Sequence, residues 1–122
     1  MTKEELKKRT KLFAVRVFKF SGKLEKTKSA DIVSYQLLKS ASSTAANYRS
    51  ACRGKSDADF LNKLKVVDEE ADESYFWLEF IRDLELKCNE EELSSLISVE
   101  VLGYGGGEGT DESKENNRDP LN

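Results

Sequence analysis

Five basic side chains recur at regular spacing in the first half of the sequence. Arg9, Arg16 and Lys23 are seven residues apart, and Arg49 and Arg53 are four residues apart. On a helix, either spacing places its members along one face. Two rows of cations of this kind can follow the phosphates of a nucleic acid. These five residues are therefore the first candidates for a binding surface.

The alternative use of these cations is ion pairing inside the fold. Residues 1–55 hold fourteen Lys or Arg against four acids, a charge of +10, and residues 56–122 hold six against nineteen, a charge of -13. A chain that folds back on itself brings these halves together, and the acids of the segment DEEADE, residues 68–73, can then neutralise the basic rows. Because the net charge is -3, only a local patch could attract phosphates.

The remaining residue types argue against catalysis and metal binding. The chain has no histidine, which removes the commonest general base and mixed Cys/His metal sites. Cys52 and Cys88 lack a paired-ligand spacing and are expected to be reduced, small buried side chains. The glycine run at 105–109 is not followed by the Lys-Ser/Thr of a phosphate loop. We therefore predict no catalytic residue, no cofactor, no metal and no small-molecule substrate, and an enzyme is the least favoured class.

Apolar residues recur in steps of four and three, which predicts amphipathic helices. The stripes are clearest in the first and third helices: Leu6, Thr10, Phe13, Val17, Phe20 and Leu24, and then Phe60, Leu64, Val67, Ala71, Ser74, Leu78 and Ile81. Start and stop signals predict helices over 2–21, over 30–53 after an N-cap at Ser29, from just after Ser56 or Asp57 to about 87, and over 89–102.

These elements predict an all-α, antiparallel up-down-up-down four-helix bundle. The bundle is expected over residues 1–102, with a short fourth helix, followed by a flexible glycine-rich acidic tail over 103–122. No apolar run is long enough for a membrane span or a secretory signal, so a cytoplasmic location is expected.

Helices 1 and 3 carry apolar residues on a second side, which a four-helix monomer does not need. We therefore expect a homo-oligomer whose candidate interface residues are Val15, Phe18, Trp77, Phe80 and Leu84.

The sequence from about residue 5 to residue 98 resembles the bacterial four-helix-bundle family encoded in intervening sequences of 23S rRNA genes. The resemblance lies in the order and spacing of LFAVRVFKF, of the small-residue helix leading to Asn47, Arg49 and Ala51, and then of Asp59-Phe60, Lys63-Leu64, Glu70-Ala71 and Trp77-Leu78-Glu79. The resemblance implies an up-down-up-down bundle that assembles as a ring, typically a homopentamer, with a role that is unassigned for most members.

The resemblance also implies a way of using the basic residues. The related accessory variability proteins of diversity-generating retroelements bind nucleic acid through such residues, and matching position extends the candidates to Lys63 beside Arg16, Arg49 and Arg53. After Ser98 the sequence departs from the family, whose members usually continue the fourth helix with a basic end.

Two function classes follow. The first is a non-enzymatic, oligomeric accessory protein associated with RNA or DNA, and the second is a protein–protein interaction module, such as one partner of a retroelement or toxin–antitoxin pair. The candidate nucleic-acid residues of the first class are Arg9, Arg16, Lys23, Arg49, Arg53 and Lys63.

Overall fold

The computed structural model describes residues 1–103, and every regular element among them is a helix. The helices are α1 (Lys3–Ser21), α2 (Lys28–Ala51), α3 (Asp57–Asp83) and α4 (Glu90–Ser98). Helix α1 packs against α2 and α4, and α3 packs against the same two helices. The bundle therefore has four corners, with α1 and α3 diagonally opposite. The all-α prediction is confirmed.

Contacts at the two ends of the bundle show that α1 and α4 run in opposite directions, and the pairs Tyr48–Phe60 and Ser40–Ser74 show the same for α2 and α3. At one end, the Arg9 side chain near the start of α1 donates to the carbonyl of Val101 beyond α4 (3.3 Å). At the other end, the backbone N–H of Glu25 after α1 donates to the carbonyl of Lys87 before α4 (3.0 Å). The up-down-up-down topology is therefore confirmed.

Each helix begins at a side-chain cap. Thr2 and Glu5 form the expected capping box at α1, and Asn89 caps α4 as predicted. The predicted cap of α2 is wrong by two residues, because the Thr27 hydroxyl, and not Ser29, accepts from the backbone N–H of Ala30 (3.2 Å). Both residues are good caps by type, so composition could not distinguish them.

The end of α3 was predicted four residues too late. The helix ends at Asp83, and Glu85 adopts a left-handed backbone conformation with φ of 56°. The backbone N–H of Leu86 then donates to the carbonyl of Ile81 (3.3 Å), the hydrogen bond of a Schellman motif. This position usually carries glycine. Because the sequence has Glu85 there instead, the sequence pattern did not indicate the end of the helix.

The end of α4 was also predicted too late. The helix stops at Ser98, and Val99 is extended (ψ 133°). Val101 and Leu102, which the prediction placed on the helix, are buried in the turn that follows it. The predicted tail over 103–122 lies outside the described residues except for Gly103.

The predicted stripes of α1 and α3 form the core. Their central members are almost completely buried, with Val17, Val67 and Leu78 at 0% exposure. Leu6 and Leu64 remain half-buried, near the ends of the helices that α4 does not reach. No helix in this part of the chain is long and apolar enough to cross a membrane.

The corrected end of α3 gives a stability test. We expect Glu85→Gly to raise the free energy of unfolding by about 1 kcal/mol, because glycine removes the steric cost of the left-handed conformation. Asp83→Gly, two residues earlier and inside the helix, is the control and should lower it by about 1 kcal/mol. Urea unfolding followed by circular dichroism measures both. A helix that continued through residue 85 would make both substitutions destabilising.

Candidate nucleic-acid interface

Four cations surround a surface concavity of about 510 Å³ where α2 ends and α3 begins. Arg49 is in the last turn of α2, Arg53 and Lys55 are in the connection, and Lys63 is in the second turn of α3. The first three side chains are exposed and Lys63 is half-buried. We call this group the basic concavity.

Local packing explains why these residues converge. Gly54 follows α2 so closely that an added Cβ atom would lie 3.1 Å from the carbonyl of Ala51 and 3.3 Å from the Cβ of Asp59. The missing side chain therefore lets the connection turn tightly between the two helices. The Ser56 hydroxyl then starts α3 by accepting from the backbone N–H of Asp59 (3.1 Å).

An aromatic pair packs α2 against α3 next to this turn. Tyr48 is buried in α2 and lies edge-on to Phe60 of α3, with ring centroids 6.3 Å apart. Burial, together with a hydrogen bond involving Cys52, raises the pKa of Tyr48 to about 12. The phenol is therefore neutral at physiological pH and adds no charge beneath the concavity.

The basic concavity contains one carboxylate, that of Asp59. Within residues 1–103, no acid lies within ion-pair distance, 4.0 Å, of Arg49, Arg53, Lys55 or Lys63. The residues that line the concavity therefore carry a net charge of +3, in a chain whose net charge is -3. Such a local field attracts anions despite the overall charge.

Arg16 has a different role. Its guanidinium donates to both carboxylate oxygens of Glu92 on α4 (3.0 Å each) and to the Ser95 hydroxyl (2.8 Å). This hydrogen bonding lowers the pKa of Glu92 and raises the pKa of Arg16. The predicted ion pairing inside the fold thus occurs for Arg16, but with an acid of α4 and not with the 68–73 segment.

Arg9 also holds the C-terminal segment and faces away from the basic concavity. Its side chain donates to the backbone carbonyls of Glu100 and Val101, in the turn after α4. Lys23, at the other end of α1, is exposed and far from the α2–α3 connection. Of the six predicted nucleic-acid residues, the structure brings together Arg49, Arg53 and Lys63.

Lys55 was missed by the sequence analysis. It stands in the sequence Gly-Lys-Ser between two predicted helices, and a search for cations flanking that predicted turn would have found it.

The predicted oligomer interface has two parts, one on α1 and one on α3. Val15 and Phe18 on α1 are 41% and 48% exposed, and on α3 Phe80 and Leu84 are 38% and 43% exposed. Trp77 is half-buried against the core.

Phe76 belongs to the α3 part and was not among the predicted interface residues. It is 54% exposed, and its ring centroid lies 4.8 Å from that of Trp77 and 5.8 Å from that of Phe80. Its position next to the predicted Trp77 and one turn before Phe80 was the available signal. We call Phe76, Trp77, Phe80 and Leu84 the α3 apolar face.

Comparison with known proteins places this chain in a family. The family model described as 23S rRNA-intervening sequence protein matches residues 2–99. The chain belongs to this family. The predicted resemblance is therefore confirmed over the whole bundle.

A solved structure supports the same assignment. The crystal structure, at 1.70 Å, of a protein of unknown function from the S23 ribosomal protein family of Bacteroides thetaiotaomicron is 31% identical to this chain, with a TM-score of 0.71. The match covers 84% of this chain and 92% of that one. A search of curated proteins found no match.

The Arg16–Glu92 pair gives a pH-dependent test of how α4 is attached. The pKa of Glu92 is lowered in the folded state, so its contribution is present above the unfolded carboxyl pKa of about 4.3 and is lost as pH falls through the folded value. We expect Glu92→Gln to lower the free energy of unfolding by about 1 kcal/mol at pH 7. The difference from wild type should shrink progressively as pH falls below about 4.3.

Urea unfolding at several pH values measures this difference. Glu91→Gln is the matched control, since Glu91 is exposed in the same helical turn and makes no ion pair with the described residues. A Glu92→Gln effect that stayed constant from pH 7 to pH 3 would contradict the role of the carboxylate.

Proposed function

We propose that this protein is a non-enzymatic, homo-oligomeric nucleic-acid-binding protein that holds the phosphate backbone of structured RNA in the basic concavity. The observation that carries the proposal is the convergence of Arg49, Arg53, Lys55 and Lys63 from both sides of one turn. The family's description contains the words 23S rRNA, and we therefore take RNA as the nucleic acid to test first.

The chemistry of the concavity suits phosphate contacts. Arginine guanidinium groups can bind phosphate oxygens through two parallel hydrogen bonds, and the lysines add compact positive charges. The uncharged lining consists of Ala46, Ser50, Ala51 and Gly54, which are small and allow close approach of a backbone. Recognition through phosphates gives binding that depends strongly on salt and weakly on base sequence.

Two apolar surfaces support self-association. Val15 on α1 and Phe76 and Phe80 on α3 are two positions from core residues, so they point about 160° away from the core. Because α1 and α3 occupy opposite corners, these surfaces face opposite directions. Different surfaces on opposite sides of one protomer fit a head-to-tail contact, which closes into a ring when the rotation permits.

The charges around the two apolar surfaces have opposite signs. The exposed charges beside Val15 are Lys8, Lys11 and Lys19 on α1, and those beside Phe76 are Glu69, Asp72 and Glu73 on α3. A contact between α1 of one copy and α3 of the next would therefore be electrostatically complementary. This complementarity supports a second copy as the partner.

A protein-interaction module without nucleic-acid binding is the second candidate. The exposed aromatic rings of the α3 apolar face favour it, since Phe and Trp are enriched at protein interfaces.

The first functional test removes the two arginines of the basic concavity. We expect Arg49→Ala with Arg53→Ala to weaken binding to an RNA hairpin at least tenfold in 50 mM salt. The slope of log affinity against log salt should become shallower by about two, one for each lost phosphate contact. A fluorescence-anisotropy titration at several salt concentrations measures both.

Lys23→Ala with Lys28→Ala is the matched control, because it removes the same charge at the opposite end of the bundle. This variant should retain most of the affinity and the original slope. Absence of binding by the wild type at low salt, or equal losses in the two variants, would remove the basic concavity as the site.

The second functional test concerns assembly. We expect wild-type protein to be an oligomer by light scattering, and we expect both Phe18→Glu and Phe80→Glu to be monomeric, because each places a charge within one apolar surface. Mixing the two variants leaves one intact α1 surface and one intact α3 surface, so a head-to-tail contact yields a dimer.

Tyr35→Glu, on the exposed side of α2 (64% exposed), is the control and should remain oligomeric. A monomeric wild type would exclude self-association and favour the interaction module. Failure of the two variants to form a dimer would exclude the head-to-tail arrangement.

A further inference from the structure

Asp59 is an unusual component of a phosphate-binding site. An ionised carboxylate accepts hydrogen bonds and cannot donate them, so it repels phosphate oxygens. Asp59 nevertheless lines the same concavity as Arg49, Arg53, Lys55 and Lys63.

The local fold does not require this carboxylate. The Ser56 hydroxyl already caps the helix by accepting from the backbone N–H of Asp59 (3.1 Å). Among the described residues, the Asp59 carboxylate accepts no hydrogen bond and has no cation within 4.0 Å. An acid in the first turn does complement the helix dipole, but Asp57 supplies the same charge two residues earlier.

The tight turn at Gly54 places the backbone of Asp59 at the edge of the concavity. Its Cβ atom lies beside Gly54, where an added Cβ atom would approach to 3.3 Å. The side chain is exposed, and it lines the concavity together with the cations of the connection and Lys63 on the next turn of α3. A backbone bound by these cations would bring its sugars, as well as its phosphates, to this edge.

We propose that Asp59 makes the basic concavity selective for RNA over DNA by accepting a hydrogen bond from a ribose 2′-hydroxyl. This hydroxyl is the group that lets a protein distinguish the two nucleic acids at a given site. A hydrogen bond between a hydroxyl and a carboxylate is among the stronger types. On DNA the carboxylate has no donor and contributes only repulsion, so it weakens DNA binding. This inference rests on the proposed phosphate-binding function and specifies RNA as the class of ligand.

The test compares an RNA hairpin with the DNA hairpin of the same sequence, using the full chain at one salt concentration. We expect the wild type to bind the RNA about tenfold more tightly, the factor that corresponds to about 1.4 kcal/mol. Asp59→Ala should bind DNA more tightly than the wild type does, because the repulsion is removed. The ratio of RNA to DNA affinity should then fall to about one.

Two further variants separate the hydrogen bond from charge. Asp59→Asn keeps an accepting oxygen without the charge, and it should give an intermediate ratio. Asp57→Ala removes an equal charge from the same turn but does not line the concavity, so it should leave the ratio at the wild-type value. Thermal unfolding by circular dichroism checks that all variants fold.

Each outcome decides between defined alternatives. A wild-type ratio near one, or a ratio that Asp59→Ala leaves unchanged, would overturn the role of Asp59 while the phosphate-binding function stands. If Asp57→Ala and Asp59→Ala shifted the ratio of RNA to DNA affinity equally, the shift would come from the lost charge alone. That result would also overturn the proposed hydrogen bond of Asp59. Absence of binding to both hairpins would instead remove the proposed function itself.

Discussion

The close packing of α2 against α3 is the constraint on which the basic concavity depends. Small side chains lie at this contact, and the hydroxyl oxygens of Ser40 and Ser74 are 3.0 Å apart in the buried interior. The two hydroxyls also have backbone carbonyl partners on their own helices, so no polar atom is left unsatisfied there. This contact lets the short connection at 52–56 join the helices, which brings Arg49 and Lys63 to one concavity.

The short fourth helix explains why the basic residues of the protein have different roles. With nine residues against 27 in α3, α4 buries little apolar surface of its own. Arg16 and Arg9 therefore contribute directed hydrogen bonds that hold α4 and the following turn against α1. The hydroxyl of the buried Tyr75 adds another from α3, by accepting from the backbone N–H of Val101 (3.0 Å). Arg49, Arg53, Lys55 and Lys63 take no part in holding α4 and remain available to a ligand.

Sequence reasoning recovered the features of this fold that depend on local chemistry. The stripe from Thr10 to Leu24 and the caps at Thr2 and Asn89 follow from side-chain spacing and type, and the structure contains them. The stop of α3 could not be read in the same way, because Glu85 adopts a conformation that sequence patterns associate with glycine.

The partner of each cation could not be predicted from the local sequence, for a different reason. Arg9, Arg16 and Lys23 have equal spacing, yet the partners of Arg9 and Arg16 lie 76 or more residues away along the chain. Only the packing of α4 against α1 decides which cations are used. The three residues that converge with Lys55 were candidates from the start, but the concavity itself is created by the tight turn at Gly54.

The two proposed surfaces occupy separate parts of α3, and this separation has a structural consequence. Lys63 and Phe76 are 13 residues apart, which corresponds to about 20 Å along the helix. A second copy bound at the α3 apolar face would therefore leave the basic concavity open. In any cyclic assembly the symmetry places all copies of a surface at the same height along the axis. Head-to-tail contacts through α1 and α3 would then arrange the concavities on one level of the ring. A folded RNA could contact several of them at once, and affinity would then rise through multivalency without any change in the single site.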